Sequence, residues 1–445
     1  MFYAYITFMK GKISTLAATA VALGAIIGAG IFVLSGTAIA IAGSYAILAF
    51  AIVGLVALSV ALNFGVLGRI LPKAKGASYS YVYEAFGSEL GFLTGILLYF
   101  SFATAISVVA LGFGTTLASI LGTSAGFSYY FAILLILILS LVNLRGIRKA
   151  AMTDTALVII KICILAGFVA FALFFAFGEA HFKASNFAYT AKGSVIANIL
   201  EASIAIFFAY TGFQTVSTFT SKVIGGANAA AKAIYTAVIV SIVLYIAVVV
   251  ALMFLVPASS YRINADPLSF ALASAHAPEW LFLLVNFGAL IATASATLAM
   301  ILASSLVMYQ ISKDGLLPKI LRKYNEGRDV AYSGVIVSAI IGSIMLFAGN
   351  VYVIAAISNF GLLFSYIMSL IAIVHFHRRG KTEGMRLPFY PYLQIITIAA
   401  LMVFMYGLPH EAFVINVAIV LSLIVIYYVL REVEDKRIIK VRLFK

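Results

Sequence analysis

The residues best placed to do chemistry are few, and they lie inside apolar stretches. Lys161 stands among Ile159, Ile160, Ile162 and Ile164, seven residues past Asp154, which is roughly 10 Å along a helix. A lysine near a membrane surface can snorkel. Deeper in, it needs a partner, and an ionisable side chain within a span marks a functional site by default. Burial favours the amine over the ammonium, so such a lysine can take up and release a proton. The second feature is Gly24-Ala25-Ile26-Ile27-Gly28-Ala29-Gly30. Each glycine weakens a helix by about 0.8–1.0 kcal/mol relative to alanine, yet apolar residues continue on both sides from Ile13 to Ile41. A span broken at mid-depth frees backbone groups that lipid cannot satisfy, which is tolerated where the break lines a binding cavity. The bland reading is a small-residue packing motif, Gly24-xxx-Gly28. If the helix does break, N–H groups opening the second half favour an anion and unwound carbonyls favour a cation. That pairing suits a solute carrying both charges, its anionic group on the amides of Gly28, Ala29 and Gly30 and its cationic group on carbonyls such as that of Ile26.

The elements that must position these residues are membrane spans. Of 445 residues 64% are hydrophobic and only 10% charged, a balance no soluble domain has, so the chain reads as an all-α polytopic membrane protein in contact with the lipid bilayer. Runs long enough to cross fall near 14–42, 45–67, 91–121, 128–144, 154–177 and 194–219. The second half gives 233–257, 280–309, 332–349, 351–374, 389–408 and 412–430, twelve in all. Twenty-five of the 29 Lys and Arg fall on one side of this layout, from Lys10 and Lys12 through Arg69, Arg145, Lys222 and Lys313 to the tail 431–445. Lys183, Lys192 and Arg262 fall on the other, and Lys161 lies within a span. The positive-inside rule then makes both termini cytoplasmic, and it accounts for the net charge of +14 without a nucleic-acid partner. The single Cys163 excludes an internal disulfide framework. Ser78, Tyr79, Tyr81 and Tyr83 read as an interfacial segment with aromatic anchors, and Trp280 as an interfacial residue opening a span. Enzyme chemistry lacks its motifs: there is neither His-Glu-x-x-His nor Gly-x-Ser-x-Gly, and nothing suggests the symmetric rings of a channel.

If the chain is two inverted five-helix repeats, span six must carry a break matching that of span one. It contains Phe207-Phe208-Ala209-Tyr210-Thr211-Gly212-Phe213-Gln214, a glycine among aromatic and polar residues. The motif Gly24 to Phe32 and the stretch 207–213 together resemble the first and sixth helices of the amino acid–polyamine–organocation transporters. Pro72…Gly76-Ala77-Ser78-Tyr79, Asn143-Leu144-Arg145-Gly146 and Lys313-Asp314-Gly315-Leu316-Leu317-Pro318 are similar to that family's intracellular loops. The resemblance covers residues 14 to about 320. Gln214 stands where the family usually has an acid, and Ser221 to Asn228 replaces an acidic, proline-containing loop.

The resemblance implies a leucine-transporter-type 5+5 inverted repeat with two extra C-terminal helices. After a cytoplasmic segment 1–13, the first repeat is then 14–177, the second 194–377, the extra spans 389–430 and the basic tail 431–445. It implies secondary active transport of amino acids by alternating access. Phe208 and Thr211 would join Ile26 at the ammonium, with Phe207 and Phe208 packing on the substrate or closing over it. It also implies that Lys161 neighbours the Gly24 carbonyl and Ser295, where sodium-coupled relatives hold sodium. We therefore expect proton-coupled symport of neutral amino acids at the plasma membrane, with Lys161 as the coupling residue and no cofactor beyond the proton gradient. Exchange, a cationic amino acid or polyamine substrate, and a sodium-coupled carrier of a non-amino-acid solute with Ser295 and Thr293 on the ion are the alternatives. Glu201, two turns outward of Phe208, reads equally as a vestibule gate, a determinant of cationic substrates or an interhelical hydrogen-bond partner. Ser101, Thr104 and Ser107 are expected near the substrate's side chain. The oligomeric state is not readable.

Overall fold

The computed structural model describes residues 13–443 apart from 73, 75, 125, 179–182, 189–192, 263–265, 329 and 383–388. The expected N-terminal segment up to residue 12 and the final two residues of the tail lie outside the described residues. The chain is almost wholly helical. Ser14 caps the first helix by accepting a hydrogen bond from the Ala17 amide at 3.2 Å, and α1 (Thr15–Ile26) runs to the first break. There follow α2 (Ala29–Ala42), α3 (Ala46–Ile70), α4 (Ser78–Phe86), α5 (Ser88–Ile120), α6 (Phe127–Leu144) and α7 (Ile147–Leu173). After these come α8 (Val195–Phe207), a 3-10 turn Phe208–Tyr210, a 3-10 segment Phe213–Lys222, α9 (Gly226–Leu255) and the short α10 (Pro267–Ser274). The chain ends with α11 (Glu279–Lys313), α12 (Tyr332–Met345), α13 (Val351–Arg378), α14 (Tyr392–Tyr406) and α15 (His410–Leu443). Among the described residues, nine helical stretches are long and apolar enough to cross a membrane, and α1, α12 and α14 are shorter apolar helices.

Side-chain periodicity explains which helices are central. In α5, α11 and α13 buried residues occur all round the helix, whereas α15 exposes Leu421, Ile424, Val425, Tyr428 and Val429 as a helix facing lipid would. Polar side chains hold the interior together. Ser101 Oγ donates to the Ser358 carbonyl while Ser358 Oγ returns a bond of 2.8 Å to the Ser101 carbonyl, joining α5 to α13. Gln394 Nε2 donates to Asn63 Oδ1 at 2.9 Å, joining α14 to α3.

Two expectations change here. Tyr79 and Tyr81 are not membrane-surface anchors. α4 folds inward and both are 0% exposed, with Tyr79 Oη donating to Asp314 Oδ2 at 2.8 Å and Tyr81 packing edge-on against Phe64. The buried hydroxyl needed an acceptor, and the end of α11 supplies one. The basic tail, read as a separate segment, continues α15 as far as Leu443.

Candidate functional site

The first break is short, and most of the carbonyls it frees have hydrogen-bond partners. Ile27 (φ −78°, ψ 84°) turns the chain and Gly28 (φ −135°, ψ −141°) opens α2. The Gly28 amide donates to the Ile26 carbonyl at 2.9 Å instead of reaching back to Gly24. The carbonyls of Gly24 and Ile27 are thereby left at the negative end of α1. Lys161 takes both: its Nζ donates to Gly24 O at 3.1 Å, to Ile27 O at 3.0 Å and to Ser295 Oγ at 2.9 Å. The structure thus brings together α1, α7 and α11 at one amine, which is 0% exposed. An ammonium has three N–H groups for these three partners. An amine keeps two for the carbonyls and can accept from the Ser295 hydroxyl, so the site accommodates either form.

The second break lies beside the first. Tyr210 ends the 3-10 turn, Thr211 is extended (φ −81°, ψ 160°) and Gly212 has φ 111°, a conformation that favours glycine. Three close approaches join the two breaks to each other and to α11. A Cβ on Gly30 would lie 2.2 Å from Ala209 Cα, one on Gly212 2.6 Å from Ala25 O, and one on Gly28 2.5 Å from Ala296 Cβ. Here the glycines act by letting backbones meet.

Sequence reasoning missed the residue that spans both breaks. Tyr245 of α9 is 0% exposed, and its hydroxyl lies 2.8 Å from Ile26 O and 3.1 Å from Ala209 O, one donor shared between two broken helices. Its signal in the sequence was a lone tyrosine at mid-span, far from the interfaces where tyrosine is common. Gln214 was noticed only as a departure. Its Oε1 accepts from the Gly212 amide at 3.0 Å and from Tyr366 Oη at 2.7 Å, tying the segment after the second break to α13. Tyr245→Phe removes this shared donor; Ile26 O keeps the Gly28 amide, so the loss is that of a buried hydrogen bond, about 0.5–1.5 kcal/mol. We expect transport to fall at least tenfold with the protein still folded, as read by initial uptake rates and the thermal midpoint.

Several expected ligands have other partners. Ile26 O already receives Tyr245 Oη and the Gly28 amide. Phe208 O receives the Thr211 amide at 3.2 Å and Thr211 Oγ1 at 2.8 Å. Two donors engage a carbonyl's two lone pairs, so an incoming ammonium must displace a protein donor at either oxygen. The same accounting takes the Gly28 amide from a substrate carboxylate and leaves Ala29 and Gly30 in the first turn of α2, where amides have no intrahelical acceptor. Phe207 has its ring against Tyr366 at 6.3 Å and Phe404 of α14 at 5.8 Å. Phe208 is buried beside the break. Ser101 and Ser107 bond to α13 and α12, whereas Thr104 Oγ1 is buried with no partner among the described residues. Glu201 is exposed and close enough to Tyr352, at the start of α13, to act on it electrostatically. Thr293 bonds back to Ala289 O within its own helix. No cluster of metal-ligating side chains occurs among the described residues. Elsewhere, α10 rests on α2 with a Cβ on Gly36 only 2.7 Å from Pro267 Cβ. Burial raises the carboxyl of Asp266 above its ordinary value, opposed by the hydrogen bond from Thr116.

The chain is 29% identical to the methylthioribose transporter of Bacillus subtilis over 416 residues, covering 88% of this chain and 87% of that one. It is 27% identical to the branched-chain amino acid permease of Lactococcus lactis subsp. cremoris, covering 88% of each. It is 24% identical to the serine/threonine exchanger of Bacillus subtilis, covering 88% of this chain and 89% of that one. The amino acid permease family model matches residues 13–430. The chain is a transporter rather than an enzyme, and it belongs to the amino acid permease family.

Proposed function

We propose that this permease is a secondary active carrier with a 5+5 inverted repeat and two further spans. In this reading it alternates its site between the two sides of the plasma membrane, with both termini cytoplasmic. Uptake is of neutral amino acids and is coupled to protons through Lys161. The observation that carries the coupling is the Lys161 amine, held jointly by the break of span one and by Ser295 of α11. Movement of α1 relative to α11 changes the number of acceptors around that amine, and so changes its preference for a proton. A sodium ion at the same place would compete with a fixed cation, which disfavours sodium coupling. Neutral substrates are favoured because Lys161 is the only buried charged side chain among the described residues. The interior therefore offers a cationic side chain no carboxylate.

A second reading follows from Ile26 O and Phe208 O, which both already carry protein donors. A solute without an ammonium would leave them undisturbed, and one relative is named for methylthioribose. Uptake into proteoliposomes separates these readings, using imposed proton and sodium gradients in turn and competition by leucine, serine, arginine and methylthioribose. Accumulation with an acidic exterior, inhibited by leucine or serine and not by arginine, is the expected result. Sodium-driven accumulation, or inhibition by methylthioribose alone, overturns it.

A further inference from the structure

The connection between α11 and α12 carries a feature that solute binding does not use. Lys319–Arg322 form a 3-10 turn held at both ends. Ser312, in the last turn of α11, donates to Pro318 O at 3.3 Å, and Ser333, in the first turn of α12, donates to Ile320 O at 2.8 Å. Three residues per turn place Lys319 and Arg322 on the same side. Leu321 packs inward against the core, while Ile320 is 67% exposed.

Its location gives the exposed isoleucine a meaning. On α12, Ile336, Ile340 and Ile344 are exposed at four-residue spacing and form the stripe this helix turns to lipid. Ser333 lies three residues before Ile336 and so on the same face. Ile320 is therefore seated at the head of a lipid-facing stripe, where acyl chains give way to headgroups. Lys319, Arg322 and Lys323 are exposed around it, with Lys313 and Arg328 on the flanking segments. Of the neighbouring acids, Asp314 already accepts from Tyr79 and from Gln310, and Glu326 lies out on the hairpin formed by Tyr324–Asn325 and Val330–Ala331.

We propose that this turn is a binding site for an anionic phospholipid, with the phosphate on Lys319 and Arg322 and an acyl chain along Ile320 and the α12 stripe. The lipid would bridge the ends of α11 and α12 and steady the helix that carries Ser295.

Native mass spectrometry of the full-length carrier, released from membranes of phosphatidylcholine and phosphatidylglycerol, tests this directly. The wild type should retain phosphatidylglycerol in preference to phosphatidylcholine. Lys319→Ala with Arg322→Ala should weaken that retention on the order of 25-fold, about fivefold per cation, and Ile320→Ser should weaken it by a smaller factor. Arg378→Ala with Lys381→Ala removes the same charge elsewhere and should leave retention unchanged. Equal retention of the two lipids by the wild type overturns the proposal. So does unaltered retention by the Lys319/Arg322 variant, or equal loss in the control. Displacement by inorganic phosphate would make this a free-anion site and overturns it as well. Uptake in phosphatidylcholine alone, equal for all variants, shows that they fold.

Discussion

Lys161→Ala is expected to abolish accumulation against a gradient while leaving exchange of substrate across the membrane measurable. The substitution removes the one amine that joins Gly24 O, Ile27 O and Ser295 Oγ. It therefore deletes the proposed proton carrier together with the bridge between α1 and α11. Two buried carbonyls lose their donor, a cost of about 1–3 kcal/mol each, so the thermal midpoint should fall too. Lys161→Met separates the two effects, since it keeps most of the side-chain volume and loses the proton. The accumulation ratio under an acidic exterior should drop to unity in both variants. Counterflow exchange should survive, more strongly in the methionine variant. Undiminished pH-driven accumulation in either would mean that the proton travels by another route.

What the sequence disclosed follows from where the governing interactions lie along the chain. The break near Gly28 was legible because its cause is local: glycines weaken a helix wherever they stand. The companion break at Thr211–Gly212 was legible only through the demand of an internal repeat, since one glycine in a span is weak evidence. The partners that fill the breaks were harder to see. Tyr245 reaches Ile26 from 219 positions away, and no periodicity records that meeting. Phe207 and Phe208 show the limit most clearly. Neighbouring helical positions point about 100° apart, so only one of two adjacent aromatics can face a given partner. Phe207 packs against Phe404 on α14, a helix outside the expected repeats. Ser101 and Ser107 were placed near the substrate by type, but carbonyls on α13 and α12 claimed them. The carbonyl of Ile26 was assigned to an ammonium; that Tyr245 and the Gly28 amide already use it required the fold.

Gly30 should tolerate no side chain at all, and the structure changes why. The sequence reading assigned its amide to a substrate carboxylate. In the fold a Cβ at Gly30 would meet Ala209 at 2.2 Å from Cα and 2.4 Å from Cβ. Both atoms are close to the main chain of the second break, so neither can swing aside as a long side chain would. Relief requires α2 to move away from the turn Phe208–Tyr210, and that turn supplies the Ala209 carbonyl shared by Tyr245. One added methyl thus separates the two broken helices and pulls apart their common donor. Overpacking of this kind costs about 1–3 kcal/mol, and its effect on uptake is larger because the displaced atoms surround the proposed site. Gly30→Ala is expected to lower uptake at least a hundredfold and the thermal midpoint by several degrees, with Gly30→Val inserted in the membrane but inactive. Gly167→Ala is the matched control, since nothing lies within 4 Å of its Cβ position, and it should transport like the wild type. Normal uptake by Gly30→Ala would show that the two breaks need not touch for the carrier to turn over.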